Sequence, residues 1–147
     1  TTALDVTIQA QILDLMRRLR QDRGSSILLI THDMGVIART TDRVAVMYAG
    51  QVVETAPTRA LLTAPAHPYS ALLLAAMPTT RSRSTRLPVI AGQMAAPGSV
   101  REGCRFRARC PLAIPRCATE SPALAAFGPG REVRCFRAGE LARERVA

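Results

Sequence analysis

Four cysteines stand at Cys104-x5-Cys110-x6-Cys117-x17-Cys135, clustered in the most basic stretch of the chain. Four soft thiolates in a loop-rich segment can close a tetrahedral metal site or hold an iron–sulfur cubane. Zinc fingers space their ligand pairs about two to four residues apart, and this spacing is wider. It is also not the short ferredoxin run. Spacing alone therefore leaves iron–sulfur, zinc and disulfides open. Clustered cysteines in a chain with no visible export signal are more often metal ligands or redox groups than disulfides. Arg105, Arg107, Arg109, Arg116 and Arg134 lie close in sequence and are expected to lower the thiol pKa values and offset an anionic cluster. The plainer alternative is four reduced thiols packing a small loop domain.

The second chemical feature is Leu29-Ile30-Thr31-His32-Asp33. If Ser26 to Thr31 is a buried parallel strand, His32 sits at its C-terminal end, where open α/β sheets bind ligands. An imidazole fixed there can donate to a phosphate oxygen and respond to its presence. A lone histidine at this place more often just ends a strand, so the neighbouring residues must decide.

The elements that would position these groups follow from the hydrophobic pattern. Ile8, Ile12, Leu15, Met16 and Leu19 recur at helical spacing, which predicts an amphipathic helix over Thr7 to Arg20, with Gly24 just past its end. Ser26 to Thr31 is apolar without alternation and predicts a strand buried on both faces. Asp33 to Arg39 predicts a short helix, Arg43 to Tyr48 a second apolar strand, and Ala49-Gly50 a turn into a hairpin partner at Gln51 to Glu54. Thr58 to Thr63 and Pro68 to Ala76 predict two short helices, each with a proline near its start. Helix, strand, helix, strand is the pattern of an α/β layer with a parallel sheet, here only part of a doubly wound one. From Pro78 the texture changes. Pro78 to Pro97 reads as an extended linker with one short strand at Leu87 to Ile90. Gly98 to Cys135 reads as loop, and Glu140 to Ala147 as a frayed helix or disordered end.

Composition bounds the function. The chain has 147 residues, 48% hydrophobic but only 3% aromatic, so its core must be aliphatic. Residues 1–77 carry seven Arg against six acidic residues, while residues 78–147 carry thirteen Arg against five Glu. A basic half can meet nucleic acid, an anionic surface or an acidic partner. Lysine is absent and aromatic residues are not interleaved with the arginines, which argues against a base-stacking nucleic-acid surface. No apolar run approaches the roughly 20 residues that span a bilayer, and no signal peptide is visible. The chain opens at Thr1 almost directly on a helix, which leads us to expect a fragment.

Thr2-Ala3-Leu4-Asp5 resembles the D-loop of ABC ATPases, and Thr31-His32-Asp33 resembles their switch-histidine loop. Gln9 to Leu15, Asp42 to Gly50 and His67-Pro68-Tyr69-Ser70 resemble the peptide-importer branch of that family. Gly103-Cys104-x-Phe106-x-x-Arg109-Cys110-Pro111, a third cysteine, Pro122-x-Leu124 and a final cysteine look like the C-terminal extension of oligopeptide and dipeptide importer ATPases. The resemblance implies an α/β fold, the C-terminal portion of a P-loop, ABC-type nucleotide-binding domain followed by a small irregular cysteine-containing extension. Its parts would be residues 1–77, a linker at 78–97 and an extension at 98–147.

The resemblance also implies roles. His32 would contact the γ-phosphate of ATP/Mg, and Asp5 would reach across an ATPase dimer to the opposing nucleotide. Cys104, Cys110, Cys117 and Cys135 would hold a [4Fe–4S] cluster, as some members do. The partners implied are a second ABC ATPase subunit, membrane permeases and, indirectly, a peptide-binding protein, at the cytoplasmic face of the membrane. Nucleic acid is not among them. No Gly-x-x-x-x-Gly-Lys-Ser/Thr loop, Gln loop or Leu-Ser-Gly-Gly-Gln signature occurs, so the chain alone is expected to be inactive. The rival reading is a freestanding iron–sulfur or zinc interaction module with a basic surface.

Overall fold

The computed structural model describes residues 6–77, 89–96 and 98–141. The chain forms two compact units, one ending at Thr41 and one beginning at Asp42.

The first unit holds α1 (Val6–Arg23) and α2 (Met34–Thr40). Gly24 follows α1 with φ of +60°, a left-handed residue past the helix end that only glycine adopts cheaply. Arg20 and Arg23 lie in the last turn, where cations suit the carboxyl end of the helix dipole. Asp14 pairs with Arg17 and Arg18 one turn away, at 2.6 and 2.7 Å. Asp33 caps α2, its carboxylate accepting from the N–H groups of Gly35 and Val36. The expected buried strand at Ser26 to Thr31 does not form. This segment has no strand pairing, and Leu28 and Ile30 are 89% and 90% exposed. A strand exists only through a neighbour's backbone groups, and no described residue offers this segment such an edge.

The second unit is built on a hairpin of β1 (Arg43–Tyr48) and β2 (Gln51–Pro57). Tyr48 faces Gln51 across a two-residue turn, in which Ala49 and Gly50 both have positive φ, 45° and 79°. Such turns match the twist of antiparallel strands. Val46 and Tyr48 face inward while Ala45 and Met47 face out, with a bulge between Val46 and Met47. Helices α3 (Thr58–Thr63) and α4 (Pro68–Ala75) follow, then a 3-10 turn at Arg107–Arg109, α5 (Arg116–Thr119), β3 (Ala125–Ala126) and β4 (Glu132–Val133). The sheet order is β1-β2-β4-β3, and every pair is antiparallel. The parallel sheet expected from the strand pattern is therefore absent among the described residues. β1 pairs instead with its sequence neighbour, for which a two-residue turn is the shortest closure. Val89 and Ile90 form no strand, and Leu87 lies outside the described residues.

The core of this unit includes Val46, Tyr48, Val53, Ala56, Leu61, Phe106 and Val133. Phe106 is 1% exposed and meets Tyr48 and Tyr69 edge-on or tilted, with ring centroids 5.0 and 5.4 Å apart. Three aromatic rings thus anchor an otherwise aliphatic core. Among the described residues, no helix is long and apolar enough to cross a membrane.

Candidate functional sites

His32 is exposed, between the unpaired apolar segment and the cap of α2. The turn around it is ordered by two side chains. The Asp33 N–H donates to Thr31 Oγ1 at 3.0 Å, and Asp33 Oδ1 accepts from Gly35 N at 2.8 Å. The imidazole is thus presented outward from a capped helix start. Asp5 lies outside the described residues.

In the second unit, all four cysteines line one cavity, with His67, Phe106, Leu112, Pro122 and Phe136 among its walls. The residues flanking the 3-10 turn, α5 and the segment after β4 are thereby brought together over 31 positions of sequence. All four are free thiols and partly exposed. The backbone positions them. Cys104 N–H donates to Cys117 O at 2.9 Å, and Gly103, with φ of +74°, lies against the carbonyls of Cys117 and Ala118. The Arg107 guanidinium closes this corner by donating to the carbonyls of Glu102 and Ala118.

The cavity is a poor place for a thiolate. Burial pushes the Cys104 and Cys110 thiols up and raises Cys135 to about 11. Backbone N–H groups oppose this: those of Phe106 and Arg107 at Cys104, of Leu112 at Cys110, and of Arg137 at Cys135, where N···Sγ is 3.3 Å. The expectation that nearby arginines would lower the thiol pKa values is corrected for these three, because desolvation outweighs them.

The arginines have other work. Arg105 donates to Ala49 O at 2.5 Å, Arg109 to Ile90 O and Ala91 O, and Arg134 to Val52 O and Pro122 O. Arg131 reaches Ala64 O, while Arg116 and Arg137 pair with Glu120 and Glu140. A guanidinium carries five donors in a rigid fork, so it can satisfy carbonyls of a segment with little helix or sheet. Much of the positive charge of this half thus cross-links the fold.

Two buried polar residues hold the cysteine segment to the hairpin. Glu54 on β2 is fully buried and accepts from Ala66 N and His67 N, each at 2.9 Å, and from Arg131 at 3.1 Å. His67 caps α4, its Nδ1 accepting from Tyr69 N at 3.0 Å. Its ring also hydrogen-bonds the backbone of Arg134, and burial lowers its pKa to about 4. Both nitrogens are therefore engaged and the ring is neutral at pH 7, a strut beside the thiol cavity. Glu54 carries no signal in the sequence, since nothing local marks a carboxylate whose partners lie 12, 13 and 77 residues away.

The donor chemistry of the cysteine cavity suits a soft metal, but the grouping is looser. Among the described residues, no three His, Cys, Asp or Glu side chains are gathered as a metal ion requires.

Residues 53–117 match the family described as Oligopeptide/dipeptide transporter, C-terminal region. The chain is 50% identical over 136 residues to the Oligopeptide transport ATP-binding protein AppD of Bacillus subtilis, covering 92% of this chain and 42% of that protein. It is 45% identical over 142 residues to the Probable peptide ABC transporter ATP-binding protein y4tR of Sinorhizobium fredii, covering 96% and 42%. Against the Dipeptide transport ATP-binding protein DppD of Escherichia coli it is 44% identical over 135 residues, covering 92% and 41%. The chain is therefore homologous to the ATP-binding subunits of oligopeptide and dipeptide ABC transporters. It spans about two fifths of the length of the curated relatives it matches.

Proposed function

We propose that this chain serves as the C-terminal portion of the ATP-hydrolysing subunit of a peptide importer, coupling ATP hydrolysis to peptide uptake. The observation that carries the reading is the 50% identity to a peptide-transporter ATP-binding protein across nearly the whole chain. In this reading His32 contacts the γ-phosphate of ATP/Mg, and its outward presentation beside a capped helix start suits contact with a bound nucleotide. Asp5 reaches the opposing subunit of an ATPase dimer. The assembly sits on permeases at the cytoplasmic face of the membrane, served by a peptide-binding protein. The 147 residues hold no Walker A loop and no lysine, so nucleotide binding and hydrolysis require residues beyond them.

The test is a chimera in which these residues replace the matching part of the Bacillus subtilis protein. The reading expects ATP hydrolysis and peptide uptake in the chimera, and loss of hydrolysis with His32→Ala. A folded chimera that hydrolyses equally well with and without His32 would refute it.

For the second site, we propose that Cys104, Cys110, Cys117 and Cys135 form the ligand set of a resident metal group, a [4Fe–4S] cluster before zinc. Support comes from their shared cavity and from the backbone N–H groups facing three of the sulfurs, which offset part of the burial that raises these thiols. The looser grouping means that the side chains must draw inward on loading. The bound group would clasp the 3-10 turn, α5 and the segment after β4 together. Iron, sulfide and zinc analysis of anaerobically purified protein decides this, and protein free of all three contradicts it.

A further inference from the structure

The four thiols are not equivalent, and the backbone sorts them. Cys104 and Cys117 are joined by a hydrogen bond from N–H to carbonyl oxygen at 2.9 Å. Adding the N–Cα bond, about 1.46 Å, and the Cα to carbonyl-oxygen distance, about 2.4 Å, limits their Cα separation to about 6.8 Å. Disulfides form at Cα separations of about 4.4 to 6.8 Å, so this pair falls inside the range without backbone movement. Among the described residues, no such backbone bond joins Cys110 or Cys135 to another cysteine. Both side chains of the pair line the same cavity, so they point into a common space, and both are partly exposed. The corner is also held from behind. A Cβ on Gly103 would lie closer than 3.0 Å to the carbonyls of Cys117 and Ala118, so the chain at Gly103 packs tightly against α5.

We propose that Cys104 and Cys117 are a thiol–disulfide exchange site, which forms an intrachain disulfide with small-molecule disulfides of the glutathione type. One cysteine thiolate attacks a sulfur of the oxidised glutathione, forming a mixed disulfide and releasing one glutathione thiolate. The other cysteine, deprotonated, attacks the protein sulfur of that mixed disulfide. The Sγ–Sγ bond forms and the second glutathione leaves. Two cysteine sulfurs are oxidised, the two glutathione sulfurs are reduced, and the two cysteine protons end on the departing thiols. The pairing stands independently of the metal reading. Its consequence, that oxidation removes two of four ligands and so abolishes metal loading, rests on that reading.

The experiment treats the metal-stripped full chain with oxidised glutathione, blocks remaining thiols, and maps the disulfides by mass spectrometry. The proposal expects a Cys104–Cys117 cross-linked peptide as the main product, with Cys110 and Cys135 alkylated. The same cross-link should form in a Cys110→Ser/Cys135→Ser variant and disappear in Cys117→Ser. Predominance of any other pair, or glutathione adducts without an intrachain bond, would overturn it. Loss of the cross-link in the Cys110→Ser/Cys135→Ser variant, while its circular dichroism stays unchanged, would also overturn it. Metal loading is measured separately on reduced protein, so failure of the metal reading and failure of the pairing give different results.

Discussion

The two units solve the same problem, burying apolar surface, with opposite outcomes. In the unit ending at Thr41, Leu15, Leu19, Leu28 and Ile30 stay exposed, and the segment richest in strand-forming residues pairs with nothing described. In the unit beginning at Asp42, a hairpin, two short helices and an irregular segment share Phe106, Glu54 and His67 as common fixed points. Regular pairing is scarce there too, since β3 and β4 are two residues each. The difference is that side chains reach across sequence, with arginines meeting carbonyls and a buried carboxylate meeting two backbone N–H groups. Apolar pattern alone does not secure a strand, whereas a loop segment can be secured without a regular ladder.

Glu54→Ala should break the second unit most severely. It leaves two buried backbone N–H groups without their acceptor, at about 1–3 kcal/mol each, and takes one partner from Arg131, which keeps Ala64 O. Urea denaturation followed through tyrosine fluorescence would report it. A cost below about 1 kcal/mol would mean that the carboxylate is not the joint described above.

Acid should be the next largest effect. The unfolded imidazole of His67 takes up a proton near 6.5 and the folded one only near 4. Between these values the unfolded state binds more protons, so stability falls as pH drops, by about 3 kcal/mol in all. Unfolding midpoints at pH 7 and pH 4.5 measure this, and His67→Asn, which keeps a capping side chain, should flatten the difference.

Gly103→Ala should cost about 2 kcal/mol, because the residue has φ of +74° and no room for a Cβ. Thermal melting is the simplest check. The smallest effect belongs to the first unit. Leu28→Ser, at an 89% exposed position, should change the stability of this chain by less than about 0.5 kcal/mol. A larger loss would show that Leu28 is buried after all.

Much of the local structure was legible in sequence. α3 and β1 have the bounds that their patterns suggested, and α2 begins beside the expected Asp33. These elements are fixed by nearby residues: a proline, a capping carboxylate, a two-residue turn. Ser26 to Thr31 misled because a strand depends on an edge that the pattern cannot display. The extension's sheet pairing was invisible, since Glu54↔Val133 and Thr55↔Glu132 join positions almost 80 residues apart. The candidate residues themselves could be chosen by type and spacing. Their environment could not, and desolvation reversed the sign of the expected thiol shifts.

Native-state hydrogen exchange on the 147-residue chain tests the contrast most directly. The account predicts that amides of β2, together with those of Cys104, His67 and Arg134, exchange as one slow group, because they open only when the cross-linked unit opens. The amides of Ile27 to Ile30 should exchange within the fastest group. Protection of Ile27 to Ile30 equal to that of β2, or fast exchange at Cys104 and Arg134, would contradict it.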